Sequence, residues 1–400
     1  MAAFASLLVV AGTSRAHAEA KLLIEAATGK VLHAENATYP WYPASVTKLM
    51  TAYTTLRAVK ERRLTFNSLL TVSSNATAQQ PTKMGFKVGT TVTVDNALKM
   101  LMVKSANDVA VTIAEGVGGS MAGFADMMNA NARRLGMSQS HFVNPNGLPS
   151  EGHVSSARDL GILARALILE FPEYDHYWHI HAIRYGKRVM KNYNGLLDRY
   201  PGADGMKTGF ICASGYNLVA SATRNGRRLI AVVLGAYSGR TRAQEAARLL
   251  ERGFNGGGLN WLTPALGTVD ALAPMDAQPP NLRDEMCGGH RRKPPSEDND
   301  EDEQMVAGAD GDTGSANAFM LSNLKPAAGK FVLGPPVDTT PPIVVFTGPA
   351  DNPDKITETV AAKPKKHKKK TASKPADGDK SPAKKTSKSA KKPKVSTASH

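Results

Sequence analysis

Tyr216-Asn217-Leu218-Val219-Ala220-Ser221-Ala222, then Thr223-Arg224-Asn225-Gly226-Arg227-Arg228, then Leu229-Ile230-Ala231-Val232-Val233-Leu234 is the stretch on which the fold turns. Two β-type apolar runs flank Asn225-Gly226, and both of those residues tolerate positive φ, so the stretch reads as a β-hairpin. Just downstream, Ala243, Ala246 and Leu250 share one face of a helix expected from about Thr241 to Arg252, with Gly253 as its C-terminal stop. Near the other end of the chain, Leu22 to Glu25 and Val31 to His33 flank Ala26-Ala27-Thr28-Gly29-Lys30, which suggests a second hairpin. Between the hairpins the apolar spacing is helical. Val46, Leu49, Tyr53 and Leu56 follow Pro43; Leu98, Leu101 and Met102 precede a break at Ser105; Val109, Ile113, Met121, Phe124, Met127 and Met128 follow it; and Ala157 to Leu169 repeats the pattern. Hairpin, helices, hairpin, helix predicts an α+β fold in which an antiparallel sheet is built from both chain ends, with a helical cluster between them.

Composition divides the chain more sharply than length does. Four hundred residues, 42% of them hydrophobic, could bury one or two cores. From about Phe254 onward, however, Pro, Gly, Ala, Asp and Lys dominate, with an acidic run of Glu297, Asp298, Asp300, Glu301, Asp302 and Glu303. No stable fold is expected there. The formal charge of +15 suggests a nucleic-acid binder until it is located: residues 361–400 hold 14 Lys and 2 Asp, a net +12, which leaves +3 for everything before them. Basicity therefore concerns the partners of the tail and not the chemistry of the domain.

Ala2 to Gly12 is a short apolar run, followed by Ala16-His17-Ala18, a small-x-small cleavage pattern, so residues 1–18 read as a secretory signal, although no Lys or Arg precedes the run. The alternative, which the cleavage pattern argues against, is an N-terminal strand or helix. The expected organisation is then a catalytic domain over 19–255, a Pro/Gly/acidic linker of low order over 256–360, and a disordered Lys-rich tail over 361–400. Two cysteines occur, Cys212 and Cys287; export would place them where a disulfide can form, and two unpaired thiols are the alternative.

Three short motifs carry the chemistry. In Ser45-Val46-Thr47-Lys48 a serine and a lysine three apart share a helix face, and a partly desolvated amine can act as base for a hydroxyl that is otherwise a poor nucleophile. The pattern alone is common on solvated helices; its place at a helix start, where N–H groups are free to stabilise an oxyanion, is what raises it. Ser105-Ala106-Asn107 sits at the break between helical patterns, where a hydroxyl could relay a proton and an amide could orient a peptide, though by itself it is an ordinary N-cap. Lys207-Thr208-Gly209, followed by Phe210, could grip a carboxylate from an edge strand while the glycine admits substrate backbone; alone it is a charged strand end. Together and in order they form the S-x-x-K, S-D-N, K-T-G set, with Ala106 in the middle position of the second motif.

In carrying these motifs in this order, the chain resembles the low-molecular-mass penicillin-binding proteins of the D-alanyl-D-alanine carboxypeptidase family, the S11-type serine peptidases. The resemblance extends from about Leu22 to Phe254 through Thr28-Gly29-Lys30-Val31-Leu32, Tyr42-Pro43-Ala44-Ser45, Lys104-Ser105-Ala106-Asn107-Asp108, His141-Phe142-Val143-Asn144-Pro145, Ala157-Arg158-Asp159 and Asp204-Gly205-Met206-Lys207-Thr208-Gly209. It implies a serine β-lactamase/DD-peptidase-like fold, no cofactor and no metal. It implies Ser45 as nucleophile, Lys48 as proton acceptor and Ser105 as proton relay helped by Lys207. Asn107 would hold the peptide, the backbone N–H groups of Ser45 and Phe210 would form the oxyanion hole, and Thr208 and Arg242 would bind the terminal carboxylate. The implied partners are a peptidoglycan stem peptide ending in D-Ala-D-Ala and β-lactams as covalent inhibitors, and the implied location is the periplasm or cell envelope, with a role in peptidoglycan synthesis and cell shape. In well-known relatives a β-rich domain and an amphipathic anchor follow the peptidase domain, and nothing after Phe254 has either pattern. The Lys-rich tail could instead touch anionic lipid or wall polymer electrostatically, or remain a solvated extension; no nucleic acid is expected.

Three rival readings frame this expectation. A class A β-lactamase shares the motifs but carries an additional glutamate, and no Glu-x-x-Leu-Asn stretch lies between the second and third motifs. A non-catalytic polyanion-binding protein would act through the tail alone, against which the leader argues. A metal site could use His176, His179 and His181, but their spacing fits no standard zinc pattern.

Overall fold

The structure, a computed structural model, describes residues 19–256, 266–288, 333–335 and 340–349. The expected signal segment 1–18, the acidic run and the Lys-rich tail 361–400 lie outside the described residues.

The Asn225-Gly226 hairpin stands inside a five-stranded antiparallel sheet. Its arms, β8 (Gly215–Arg224) and β9 (Arg227–Ala236), pair through Arg224 and Arg227 across a turn with φ 51° at Asn225 and 73° at Gly226. The N-terminal hairpin, β1 (Ala20–Glu25) and β2 (Val31–Glu35), docks onto it with Leu22 opposite Val232. Together with β7 (Ala203–Ile211) the strand order is β2-β1-β9-β8-β7, so β7 is an edge strand. Successive side chains in a strand point to opposite faces, and here both faces are apolar. Leu22, Ile24, Val219, Ile230, Val232 and Leu234 face one buried cluster, while Leu23, Leu218, Ala220, Leu229, Ala231 and Val233 face another. The sheet is therefore a middle layer. Truncating one such residue, for example Ile230→Ala, is expected to cost about 2–5 kcal/mol.

On the first face lies α6 (Ala157–Glu170), and α1 (Lys48–Lys60), α3 (Val94–Val103), α4 (Asn107–Gly118), α5 (Met121–Arg134) and the short α2 (Ser74–Ala78) complete the same buried cluster around it; α7 (Gly239–Asn255) covers the second. Thr93, Ser120, Ser156 and Ser238 each cap a helix start by accepting an N–H from three residues on. The break expected at Ser105 is real: α3 ends two residues before it and α4 begins two after it, with Ser105 itself at φ 57°. The helix expected from Pro43 onward instead opens as a one-turn 3-10 helix, Ala44–Thr47, and becomes α-helical at Lys48.

Two small ribbons escaped the sequence reading because their strands are too short to show a period: β3 (Leu69–Thr71) with β4 (Thr91–Thr93), and β5 (Ala182–Tyr185) with β6 (Arg188–Lys191). No stable fold was expected after Phe254, yet stretches of that region pack onto the domain. Thr268 bridges to Lys30, and Val269 is buried beneath it. The short helix α8 (Arg283–Cys287) buries Met286 and carries Cys287, which is disulfide-bonded to Cys212 with a Cα–Cα distance of 5.6 Å. Between the two alternatives the sequence left open for the cysteines, the structure has the bond. Further on, β10 (Ile343–Val344) joins the free edge of β5 in parallel and buries Val345 completely. Scattered apolar residues in a polar stretch give no periodic signal, so only docking reveals them.

Candidate active site

The site begins with the tight turn before α1. In a 3-10 turn residues i and i+3 eclipse, and that places Lys48 Nζ 2.8 Å from Ser45 Oγ. Lys48 has no exposed surface. Its other two donors go to Asn107 Oδ1 at 2.8 Å and to the Asn146 carbonyl at 2.8 Å, so the amine is held from three sides. Ala44, immediately before Ser45, sits at φ 51°, a conformation non-glycine residues rarely adopt and one that clusters at functional turns.

The second wall is the Ser105 break. Thr82 Oγ1 donates to the carbonyls of Lys104 (3.1 Å) and Ser105 (2.8 Å), and the Thr82 carbonyl accepts the Asn107 N–H at 2.8 Å. Asp108, raised above the usual carboxylate range by burial, accepts N–H bonds from Met84, Gly85 and Val109. These bonds clamp loop 80–86 against the start of α4. Asn107 spends its amide on protein partners, accepting from Lys48 and donating to the Gln80 carbonyl at 2.9 Å. Its first task is thus to hold Lys48. Ser105 Oγ is buried without a hydrogen-bond partner in the protein.

The third wall is the edge strand β7. Gly209 passes directly over the Ser45 turn, where a Cβ would meet the backbone nitrogens of Ser45 and Val46. Lys207, two residues earlier on the same face, is 1% exposed and donates to the Thr208 carbonyl at 3.0 Å. Thr208 Oγ1 is a second buried hydroxyl with no protein partner. Phe210 stacks near Tyr216 across the hairpin, their centroids 4.3 Å apart. Arg242, in the first turn of α7, is buried; it donates to the carbonyls of Asn217 (3.3 Å) and Tyr193 (3.5 Å) and lies over the Tyr216 ring. Buried polar groups are normally satisfied, and the Ser105 and Thr208 hydroxyls, one on each of these two walls, have no protein partner with which a polar ligand would compete.

Four supporting residues were not singled out from the sequence. Asn146 supplies the third acceptor for Lys48, and Asn217 ties β8 to the nucleophile turn by donating to the carbonyls of Tyr42 (2.9 Å) and Pro43 (3.1 Å). His153 accepts the Val143 N–H on Nδ1 at 3.0 Å, so its proton is on Nε2 and is donated to Thr47 Oγ1 at 2.8 Å. Burial, with His141 nearby, pushes this imidazole from 6.5 down to about 3. Tyr193 accepts a bond from Lys104 Nζ at 2.7 Å. Only Asn146 left a trace in the sequence, because Asn146-Gly147 reads as a turn.

The histidines considered for a metal are spread over separate carboxylates, His179 on Asp175 and His181 on Asp198, and among the described residues no group of three His, Cys, Asp or Glu could hold a metal ion. Among the described residues no helix is long and apolar enough to cross a membrane.

A helix-borne Ser–Lys pair, a Ser-x-Asn break and a Lys-Thr-Gly edge strand, assembled on a sheet with helices on both faces, define the serine β-lactamase/DD-peptidase architecture. The chain belongs to the D-alanyl-D-alanine carboxypeptidase family, peptidase family S11, whose pattern matches residues 9–238. It is similar to D-alanyl-D-alanine carboxypeptidase DacD of Escherichia coli, 39% identical over 244 residues that make up 59% of this chain and 63% of the relative. Among solved structures it is similar to penicillin binding protein 6B from Escherichia coli, with a TM-score of 0.57 and 38% identity over 60% of this chain and 77% of that one. It is also similar to Penicillin-Binding Protein D2 from Listeria monocytogenes in its ampicillin-bound form, with a TM-score of 0.52 and 32% identity over 59% of this chain and 96% of that one. The chain spans less than two thirds of the length of the DacD relative.

Proposed function

We propose that the protein is an exported serine D-Ala-D-Ala carboxypeptidase that removes the terminal D-alanine from peptidoglycan stem pentapeptides, and that penicillin acylates it. One observation carries this reading: the fully buried amine of Lys48 is fixed 2.8 Å from Ser45 Oγ. A lysine amine withdrawn from water can act as a base. In the reaction Lys48 takes the Ser45 proton as Oγ attacks the carbonyl between the two D-alanines. The oxyanion collects between the backbone N–H groups of Ser45 and Phe210. As the C–N bond breaks, the proton passes through Ser105 to the leaving amine, and D-alanine departs from an ester on Ser45. Water then hydrolyses the ester, giving a proton back through Lys48. Thr208 Oγ1 and Arg242 receive the terminal carboxylate, and Lys207 adds positive charge beside them.

The Cys212–Cys287 disulfide supports a site of action outside the cytosol, in the periplasm or cell envelope, and with it a role in peptidoglycan synthesis and cell shape. The tail's 14 lysines support electrostatic contact with anionic lipid or wall polymer.

The test is release of D-alanine from a pentapeptide ending in D-Ala-D-Ala, together with covalent labelling by penicillin, in wild type and Ser45→Ala. Wild type should turn over the peptide and hold the label, and the variant should do neither. Turnover that survives in Ser45→Ala overturns the reading, and rapid release of the label by wild type would point to a β-lactamase instead.

A further inference from the structure

Lys104 and Tyr193 come from opposite walls of the cleft and meet across it. Lys104 immediately precedes Ser105, and Thr82 Oγ1 pins its backbone carbonyl. Tyr193 stands on a turn next to the edge strand, and that turn is built to be rigid. Asn192 donates backbone N–H to the His181 carbonyl at 2.7 Å and side-chain amide to the Ile180 carbonyl at 2.9 Å. Asn194, 1% exposed, donates to the Gly205 carbonyl at 2.9 Å and accepts the Leu196 N–H at 3.2 Å. From these two anchored positions Lys104 Nζ donates to the Tyr193 hydroxyl at 2.7 Å and lies 5.3 Å from the centre of its ring. The backbone carbonyl of the same tyrosine accepts from Arg242 at 3.5 Å. The bridge thus stands between the guanidinium that receives the terminal carboxylate and the serine that protonates the leaving amine.

Resting on the carboxypeptidase reading, we infer that the Lys104–Tyr193 bridge is the end wall of the subsite for the leaving residue and limits it to a D-amino acid about the size of alanine. A phenol ring held at both ends cannot swing aside at little cost, so a bulky terminal side chain has nowhere to go. The Lys104 ammonium, bonded to the tyrosine whose carbonyl accepts from Arg242, also adds positive charge to this end of the subsite, favouring a free terminal carboxylate over an amide. The wall acts on the choice of leaving residue and not on bond breaking.

The experiment compares two pentapeptides that differ only at the last residue, D-Ala-D-Ala and D-Ala-D-Phe, with wild type, Tyr193→Ala, Tyr193→Phe and Lys104→Met, each checked for penicillin labelling at Ser45. Wild type should strongly prefer the D-Ala terminus. Tyr193→Ala should raise the kcat/KM ratio of D-Phe over D-Ala peptide by roughly tenfold or more, the scale on which pockets discriminate side-chain size. Tyr193→Phe and Lys104→Met, which keep the bulk and loosen the bridge, should raise it less. Wild type that handles both peptides equally, or a ratio that stays put in every labelled variant, overturns the wall. Wild type that releases the terminal residue from neither peptide overturns the carboxypeptidase reading first, and the wall with it.

Discussion

Gly209 lies against the backbone of Ser45: a Cβ on it would stand 2.8 Å from the Ser45 nitrogen, 2.9 Å from the Val46 nitrogen and 3.2 Å from the Pro43 carbonyl. The edge strand and the nucleophile turn are in contact through a position that tolerates no side chain. All three neighbours are backbone atoms, which cannot rotate away as a flexible side chain would.

Gly209→Ala should therefore push the strand off the turn and spoil the alignment of Ser45 with the backbone N–H groups proposed to hold the oxyanion. Displacements of about 1 Å in such sites cost on the order of 10²-fold in rate. The check is the rate constant of penicillin acylation beside a thermal melt; an acylation rate within threefold of wild type would show that the contact is dispensable.

Lys48→Met should abolish acylation while keeping most of the buried volume. Ser45 loses the amine proposed as its base, and Asn107 Oδ1 and the Asn146 carbonyl lose their donor. Each acceptor left buried costs about 1–3 kcal/mol, so the variant should also melt at a lower temperature. Mass spectrometry after incubation with penicillin would detect any acyl adduct that contradicts this.

His153 makes stability depend on pH. Its folded-state value of about 3 lies below the ordinary 6.5, so between these limits the unfolded chain binds the extra proton. The contribution is complete above pH 6.5 and is lost as pH falls, by about 3 kcal/mol between pH 6.5 and 4 at 1.36 kcal/mol per unit. Asp108 and Asp159, both raised by burial, act in the opposite sense and are common to wild type and variant. Denaturant midpoints at pH 7 and pH 4 should therefore diverge more in wild type than in His153→Gln. Equal divergence would mean that the imidazole is solvated.

The disulfide joins residues 75 apart in the chain. Closing a loop of that length stabilises a domain by about 2–4 kcal/mol. Paired Cys212→Ser and Cys287→Ser substitutions, or reductant on wild type, should lower Tm by several degrees; a melt insensitive to reductant would argue that the bond does not form.

Features that depend on a few adjacent residues could be read without a structure. Asn225-Gly226 dictates its turn because both residues accept positive φ, and the apolar runs beside it then fix two neighbouring strands. Ser105 interrupts two helical patterns, and the interruption survives in the fold. The three motifs are legible for the same reason, since each is a run of contiguous residues with its own chemistry. Lys48, by contrast, is held by Ser45 from its own turn, by Asn107 from the next wall and by Asn146 from a loop about a hundred residues away. Tyr193 reaches Lys104 over 89 residues, and Asn217 reaches Pro43 over 174.

Sequence by itself thus determined the hairpins, the helix breaks and the three motifs that bring the candidate side chains, because local dihedral preference and hydrophobic period act over a few residues. Tertiary structure alone decided that those side chains meet, which of their donors and acceptors are already taken, that the Ser105 and Thr208 hydroxyls have no protein partner, and where Cys287 and Val345 return to the domain. Such contacts are set by how the two faces of the sheet bury their apolar residues against helices distant in the chain, and no short window of sequence carries that information.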